Sequence, residues 1–173
     1  CDSKRAVVVT HPHPLYGGNM DNPVVLCICR AFEDNGYASL RFNFRGTGMS
    51  SGVHDDGTGE QEDVISAVSY LKENGYEEIW LAGYSFGSRI NAGVVSRGAD
   101  IGGHVMVSPP VAFMSFDDIE TMPDTPLVVT GALDEIAPPD RVAHYFKRWG
   151  ITPRLEVIER CDHFYSSGLP QLG

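Results

Sequence analysis

The sequence predicts an α/β protein: a mostly parallel sheet with helices on both faces. Two observations carry this. Short apolar, β-branched runs alternate along the whole chain with segments whose apolar residues recur every three or four positions. The residues able to do chemistry (the His11–Pro14 loop, Ser85, Asp134 and His163) each follow the end of a predicted strand. In parallel sheets that is the edge where ligands collect.

In order, Arg5 to Thr10 (RAVVVT) reads as a buried strand, running into a loop stiffened by Pro12 and Pro14 and closed by Gly17 and Gly18. A helix follows, capped by Asp21 or Asn22, with Pro23 in its first turn. Val24, Ile28, Ala31 and Phe32 share one face, and Gly36 ends it. Ala38 to Phe44 (ASLRFNF) is the next strand, and the glycine- and aspartate-rich stretch to Gly59 is an exposed loop. Glu60, Glu62 and Asp63 open a helix at the end its dipole prefers. Val64, Ala67, Val68 and Leu71 form its stripe, and Gly75 stops it. Ile79 to Tyr84 is a strand and the helix after it runs to about Arg97. His104 to Ser108 and Leu127 to Thr130 are strands, with an aperiodic connection from Val111 to Asp124 between them. A helix with Val142, Tyr145, Phe146 and Trp149 inward leads to a last strand, Arg154 to Glu159. There is no repeat, low-complexity tract or linker, so residues 1–173 are expected to form one domain.

Composition narrows the function. Apolar content of 42% and charged content of 21% are those of an ordinary globular protein. A net charge of −10 argues against nucleic acid and anionic membrane as partners. No apolar run approaches the roughly 18–20 residues of a spanning helix. Cys27 and Cys29 point different ways from one helix, and all four cysteines read as reduced thiols, which fits a cytoplasmic location. Cys1 in first place raises a lipoprotein reading, but a piece of a longer chain accounts for it more simply.

The chemistry centres on Leu81-Ala82-Gly83-Tyr84-Ser85-Phe86-Gly87. Strand, then G-x-S-x-G, then helix is the nucleophile elbow. The chain must turn so sharply that the serine takes a strained conformation. A side chain at 83 or 87 would collide where strand and helix cross, and the helix N-terminus behind the serine favours negative charge. A serine hydroxyl needs a base, and the base needs an orienting partner. Of six histidines, His163 alone has both the right edge and the right place in chain order. His144 lies off its helix stripe, His54 in a polar loop, His104 at the wrong end of a strand, and His11 and His13 in the opening loop. Asp134 is the acid, placed after a strand and before Pro138-Pro139, ahead of its rivals Glu135 and Asp140. An oxyanion hole needs two N–H donors. Phe86 supplies one. Pro12 and Pro14 have none to give, which leaves His13, Leu15 or Tyr16, and His13 is preferred as nearest the strand end.

With these residues in view, the chain resembles the α/β-hydrolase superfamily. More narrowly it resembles small bacterial serine hydrolases marked by H-P-H-P-x-x-G-G-x-M-x-N (His11–Asn22), F-N-F-R-G-x-G-x-S-x-G (Phe42–Gly52), G-x-S-F-G (Gly83–Gly87) and D-H-F (Asp162–Phe164). The resemblance implies a minimal hydrolase fold without a cap domain, with Ser85, Asp134 and His163 as catalytic triad, in the chain order of that superfamily. Two departures stand out: the superfamily's opening β-hairpin does not precede Arg5, and only ten residues follow His163, where a further helix is expected. These departures fit a trimmed or an unusually short member.

The function expected is a serine esterase of small, short-chain acyl esters, working through an acyl-enzyme with no cofactor and no metal. The fifteen or so residues between Pro109 and Asp124 are too few for a lid, so the pocket should be shallow, with Tyr16, Phe86, Phe113, Met114 and Phe116 as walls. An acyltransferase, peptidase or thioesterase with the same triad, and a non-catalytic hydrolase-like binding protein, are the alternatives. A metallohydrolase using His11 and His13 is a rival that the loop's prolines make unnecessary. Arg45 reads as a salt-bridged turn residue rather than a substrate ligand. The expected partner is a small ester, and a homodimer is compatible with the sequence.

Overall fold

The computed structural model describes residues 4–122 and 127–172. Cys1, Asp124 and the outermost residues of the expected 1–173 domain lie outside the described residues. The elements are β1 (Arg5–Thr10), a 3₁₀ turn (Pro14–Tyr16), α1 (Pro23–Asp34), β2 (Ala38–Arg41), α2 (Thr58–Glu73), β3 (Glu78–Tyr84), α3 (Phe86–Ser96), β4 (Gly103–Val107), β5 (Leu127–Gly131), α4 (Pro139–Arg148), β6 (Arg154–Ile158) and α5 (Leu169–Leu172). The six strands form one sheet in the order β2-β1-β3-β4-β5-β6, every pair parallel. This is the predicted α/β architecture.

Period-two alternation in the strands sorts the core into two layers. Ala6, Val8, Ile79, Leu81, Met106 and Val128 pack beneath α2, α3 and α4. Val7, Val9, Ala82, Tyr84, Val105 and Val107 face α1, with Leu169 and Leu172 of α5 against the same layer. Because both faces are covered, the inner strands read as continuous apolar runs. No helix among the described residues is long and apolar enough to cross a membrane.

The chain goes from β1 outward to β2, then back across to β3 on the other side of β1. The strand order therefore switches between β1 and β3, at the register Thr10↔Gly83. At such a point the loops leaving neighbouring strands diverge and open a crevice.

Local signals account for most boundaries. Asn22, not Asp21, caps α1: its side chain accepts the Val24 N–H at 2.9 Å, and Gly36 follows the helix at φ +81°. The buried face of α1 is Val24, Val25, Ile28 and Cys29, so Ala31 and Phe32 lie nearer its margin than expected. β2 stops at Arg41, three residues short of the predicted Phe44. There the chain leaves the sheet and satisfies its backbone elsewhere. Phe44 N–H donates to His11 Nε2 at 3.0 Å, and the Asn43 side chain accepts the Met20 N–H at 2.8 Å. The Phe44 ring meanwhile buries itself completely against His11 and Phe86. α2 begins at Thr58, so Glu60 is its acidic first-turn residue. Gly57 and Gly59, in the stretch expected to be exposed, are buried. Arg45 forms the expected salt bridge, with Nε and Nη2 on Asp63 at 2.8–3.2 Å and its N–H on the same carboxylate. Cys27, Cys29 and Cys161 are free thiols.

His104 is the least comfortable core residue. It is buried in β4, beside Leu81 in the register, and neither ring nitrogen has a hydrogen-bond partner. Burial pushes its pKa down to about 3. Between pH 6.5 and that value the unfolded chain takes up a proton that the folded chain refuses. Stability is therefore intact above pH 6.5 and falls as the pH drops, by on the order of a few kcal/mol in all. His104→Met removes this proton uptake and two unpaired polar atoms at similar volume. Urea unfolding at pH 7.5 is expected to show unchanged or higher stability for His104→Met. At pH 5 it should lose less than the wild type, and equal losses would contradict the assignment.

Candidate active site

β3 is apolar to its end, and at Ser85 the chain reverses into α3. Ser85 sits at φ +53°, ψ −118°, a region a non-glycine residue seldom occupies. Its neighbours hold it there. Ser85 N–H donates to Val107 O at 2.9 Å, and Ser85 O accepts both the N–H and the hydroxyl of Ser88, at 2.9 and 2.6 Å. The flanking glycines are sterically obligatory. A Cβ at Gly83 would stand 2.5 Å from Ser88 N, and one at Gly87 2.5 Å from Thr10 Oγ1, with backbone atoms close by in both cases.

Two further loops from the same sheet edge reach Ser85. His163 follows β6 in a loop tied down by backbone. Leu133 N–H donates to Cys161 O at 2.9 Å, and the buried Tyr84 hydroxyl donates to His163 O at 2.8 Å. Tyr165 in the same loop shares a hydrogen bond of 2.9 Å with Ser108. Asp134 follows β5, and its Oδ1 accepts the N–H groups of Ile136 at 3.0 Å and Ala137 at 2.7 Å. His163 Nδ1 lies 2.9 Å from both Asp134 oxygens, and its Nε2 lies 2.9 Å from Ser85 Oγ. An ionised carboxylate only accepts, so Nδ1 carries the proton and Nε2 is left to accept from the serine hydroxyl. Burial pushes the Asp134 carboxyl up, but the hydrogen bond and charge of His163 and the Ala137 N–H outweigh it and hold it below its ordinary value. All three side chains are buried, Ser85 only 8% exposed.

The loop after β1 closes the other side. His11 is locked by backbone at both nitrogens: Nδ1 donates to Pro12 O at 2.6 Å and Nε2 accepts from Phe44 N–H. Burial lowers its pKa to about 4, and it is unavailable to share an ion with His13. Of the three donors left open by sequence, Tyr16 N–H is spent on His13 O at 3.1 Å and Leu15 N–H on His13 Nδ1 at 3.3 Å. The His13 and Phe86 N–H groups have no acceptor among the described residues. Their side chains pack together, ring centroids 4.6 Å apart. Burial and the charge of His54 lower the His13 pKa.

These groups meet at a cavity of about 490 Å³, with Ser85 and His163 in its wall. Of the predicted walls, Tyr16, Phe86, Phe113 and Met114 line it, and Tyr16 and Phe113 make an edge-to-face pair at the rim. Phe116 does not. It is fully buried in the core, against Tyr145 and Trp149 and beneath the Arg89 guanidinium. Sequence reasoning missed Tyr84, Pro110, Ile136 and Phe164. Three of them sit one or two residues from Ser85, Asp134 or His163 and are carried into the wall by the same loops. Residues 108–122 form turns anchored by Phe116, Ile119 and Met122, with no helix over the opening.

The fold is that of an α/β hydrolase, and comparisons with known proteins agree. No protein-family model matches the chain. An uncharacterised protein of Rickettsia prowazekii is 35% identical over 168 residues, covering 91% of this chain and 71% of that protein. An α/β serine hydrolase homologue from Coxiella burnetii superposes with a TM-score of 0.92 at 34% identity, over 98% of this chain and 81% of that one. A serine hydrolase without a lid from Xanthomonas campestris gives 0.91 at 30%, over 99% and 78%. The chain belongs to the α/β serine hydrolase family.

The strain at Ser85 has a measurable cost. Ser85→Gly and Ser85→Ala both delete the hydroxyl, but only glycine relaxes at φ +53°. Ser85→Gly should therefore be about 1–2 kcal/mol more stable than Ser85→Ala by urea unfolding. A less stable glycine variant would show that the turn is not strained.

Proposed function

We propose that the protein is a carboxylesterase of small, short-chain acyl esters, acting through an acyl-enzyme on a Ser85–His163–Asp134 triad. One observation carries this reading: the continuous contact from Asp134 through His163 to Ser85 Oγ, 2.9 Å at each step, at the wall of an open pocket. Ser85 Oγ attacks the ester carbonyl as its proton passes to His163 Nε2. Asp134 holds the imidazole tautomer and stabilises the imidazolium. The negative charge gathering on the carbonyl oxygen is received by the N–H groups of Phe86 and His13. Collapse of the tetrahedral intermediate breaks the ester bond. The alcohol leaves with the proton from His163, and the acyl group stays on Ser85. Water then gives a proton to His163 and attacks the acyl carbon. The carboxylic acid departs and Ser85 regains its proton. The sum is ester plus water to acid plus alcohol, and no step calls for a cofactor.

Pocket size and lining support the substrate class. Tyr16, Phe113, Met114, Ile136 and Phe164 present apolar surface, and among the described residues no carboxylate, lysine or arginine lines the cavity. A cavity of about 490 Å³, with no helix among the described residues across its mouth, suits a short acyl group better than a long chain.

A fluorophosphonate probe should form one adduct, mapped by mass spectrometry to Ser85 and lost in Ser85→Ala and His163→Ala. p-Nitrophenyl acetate should be turned over, and Asp134→Asn should lower kcat by about 10⁴-fold. A folded wild-type protein that takes no adduct and shows no turnover would remove the esterase reading in favour of a binding protein.

A further inference from the structure

A second histidine–carboxylate pair stands behind the oxyanion side of the pocket, and the reaction above does not use it. Glu60 is fully buried in the first turn of α2. Its Oε2 accepts the Gly57 N–H at 2.8 Å and its Oε1 the Asp55 N–H at 3.0 Å. His54 Nδ1 lies 2.7 Å from the same Oε1, while His54 Nε2 lies 3.5 Å from the exposed Asp56 carboxylate. A carboxylate lies in ion-pair range of each ring nitrogen, but Nδ1 makes no aligned hydrogen bond, so packing places the ring. It packs on the His13 ring at 5.1 Å and on the Phe86 ring at 5.6 Å, and those two rings meet each other at 4.6 Å. The three rings form one cluster, and two of them belong to the residues assigned as oxyanion donors. His54 itself does not line the pocket.

A helix cap alone does not explain this arrangement. A serine or aspartate at the surface caps a helix without burying a charge, whereas a buried carboxylate is costly unless fully partnered. The oxyanion hole does need support of this kind. Its donors act only when aimed within a fraction of an ångström. Phe86 N–H is fixed by the elbow, but His13 lies in a loop outside the sheet, with its carbonyl and Nδ1 engaged only by neighbours in that same loop. What fixes the His13 side chain from outside the loop is the packing of His54 and Phe86.

We propose that His54, seated beside the buried Glu60 and packed on the His13 and Phe86 rings, is a positioning residue of the oxyanion hole, keeping the His13 and Phe86 N–H groups aimed at a single point. The inference rests on the reading of Ser85 as nucleophile. The test uses steady-state hydrolysis of p-nitrophenyl acetate together with inhibition by phenylboronic acid, whose boron becomes tetrahedral on a serine oxygen. Both are measured on wild type, His54→Ala and His54→Phe, with thermal unfolding of each. His54→Ala should lower kcat about 10- to 100-fold with KM unchanged within about twofold. It should weaken phenylboronic acid by the same factor and unfold within about 5 °C of wild type. His54→Phe, which restores a flat ring against His13 and Phe86, should recover most of the loss. His54→Leu, which fills the space without a flat ring, carries the same comparison should the alanine variant unfold. An unchanged kcat overturns the proposal, as does a loss carried by KM or a loss that His54→Phe does not recover. If the wild type neither turns over, binds phenylboronic acid nor takes a fluorophosphonate on Ser85, the nucleophile reading fails and this inference falls with it.

Discussion

The site depends on one close approach, that of α3 to the ends of β1 and β3. Gly83 meets the first turn of α3, and Gly87 meets Thr10 at the last residue of β1. Because each contact includes backbone atoms, no side-chain adjustment could relieve a Cβ there. The consequence goes beyond aiming Ser85. The loop carrying His13 leaves directly from Thr10 and His11, so the contact that bends the elbow also sets the distance between the serine and the loop facing it. The register Thr10↔Gly83 makes Ser85 and the loop one unit at the switch in strand order. The strain at Ser85 persists because the hydrogen bonds to Val107 and Ser88 and the packing of Phe86 over-determine it.

The remaining loops are held by buried polar groups whose desolvation is met partner by partner. Asp134 loses water but gains two backbone N–H groups and His163. His11 is neutral, with both nitrogens satisfied, and it ties the start of its loop to the chain leaving β2. Tyr84 and Tyr165, each pushed upward in pKa by burial, remain protonated and fasten the His163 loop to β3 and β4. Each is a side chain bonded across elements distant in sequence, so the loops borrow the rigidity of the sheet. His104 is the exception, and its isolation marks it as a cost of the core rather than a part of this scheme.

The sequence was most legible where local pattern and tertiary role coincide. β1 and β3 are buried on both faces past their first residues and so mainly apolar, and the glycines at 83 and 87 report a close approach that needs no knowledge of the partner. Asp134 and His163 were readable because parallel strands place their following loops on one edge. β2 was overextended because ASLRFNF keeps a strand-like pattern to Phe44. What ends it is a tertiary event, the His11 acceptor and the Phe44 pocket, with no local signal. Phe116 was misplaced because residues 111–122 have no period from which to read facing. Met114 and Phe116 are two residues apart, yet one reaches the cavity and the other the core. His54 was set aside as a polar loop residue. The available sign was Gly57-Thr58-Gly59-Glu60, where a glycine cap with glutamate at the third helical position draws a carboxylate inward beneath the loop.

The distribution of charge around the cavity follows the same logic. The chain carries a net charge of −10, yet no carboxylate among the described residues lines the pocket. The two buried carboxylates nearest it each stand behind a histidine: Asp134 behind His163, and Glu60 behind His54. A carboxylate in the wall would repel the negative charge that gathers on an ester oxygen, and at low local dielectric that repulsion is felt strongly. Set behind an imidazole, the same carboxylate acts through a ring that can carry positive charge, and its own field is partly cancelled before it reaches the cavity. An acidic surface and a pocket lined without carboxylates among the described residues are therefore compatible, because the two buried carboxylates beside it are each set behind a ring.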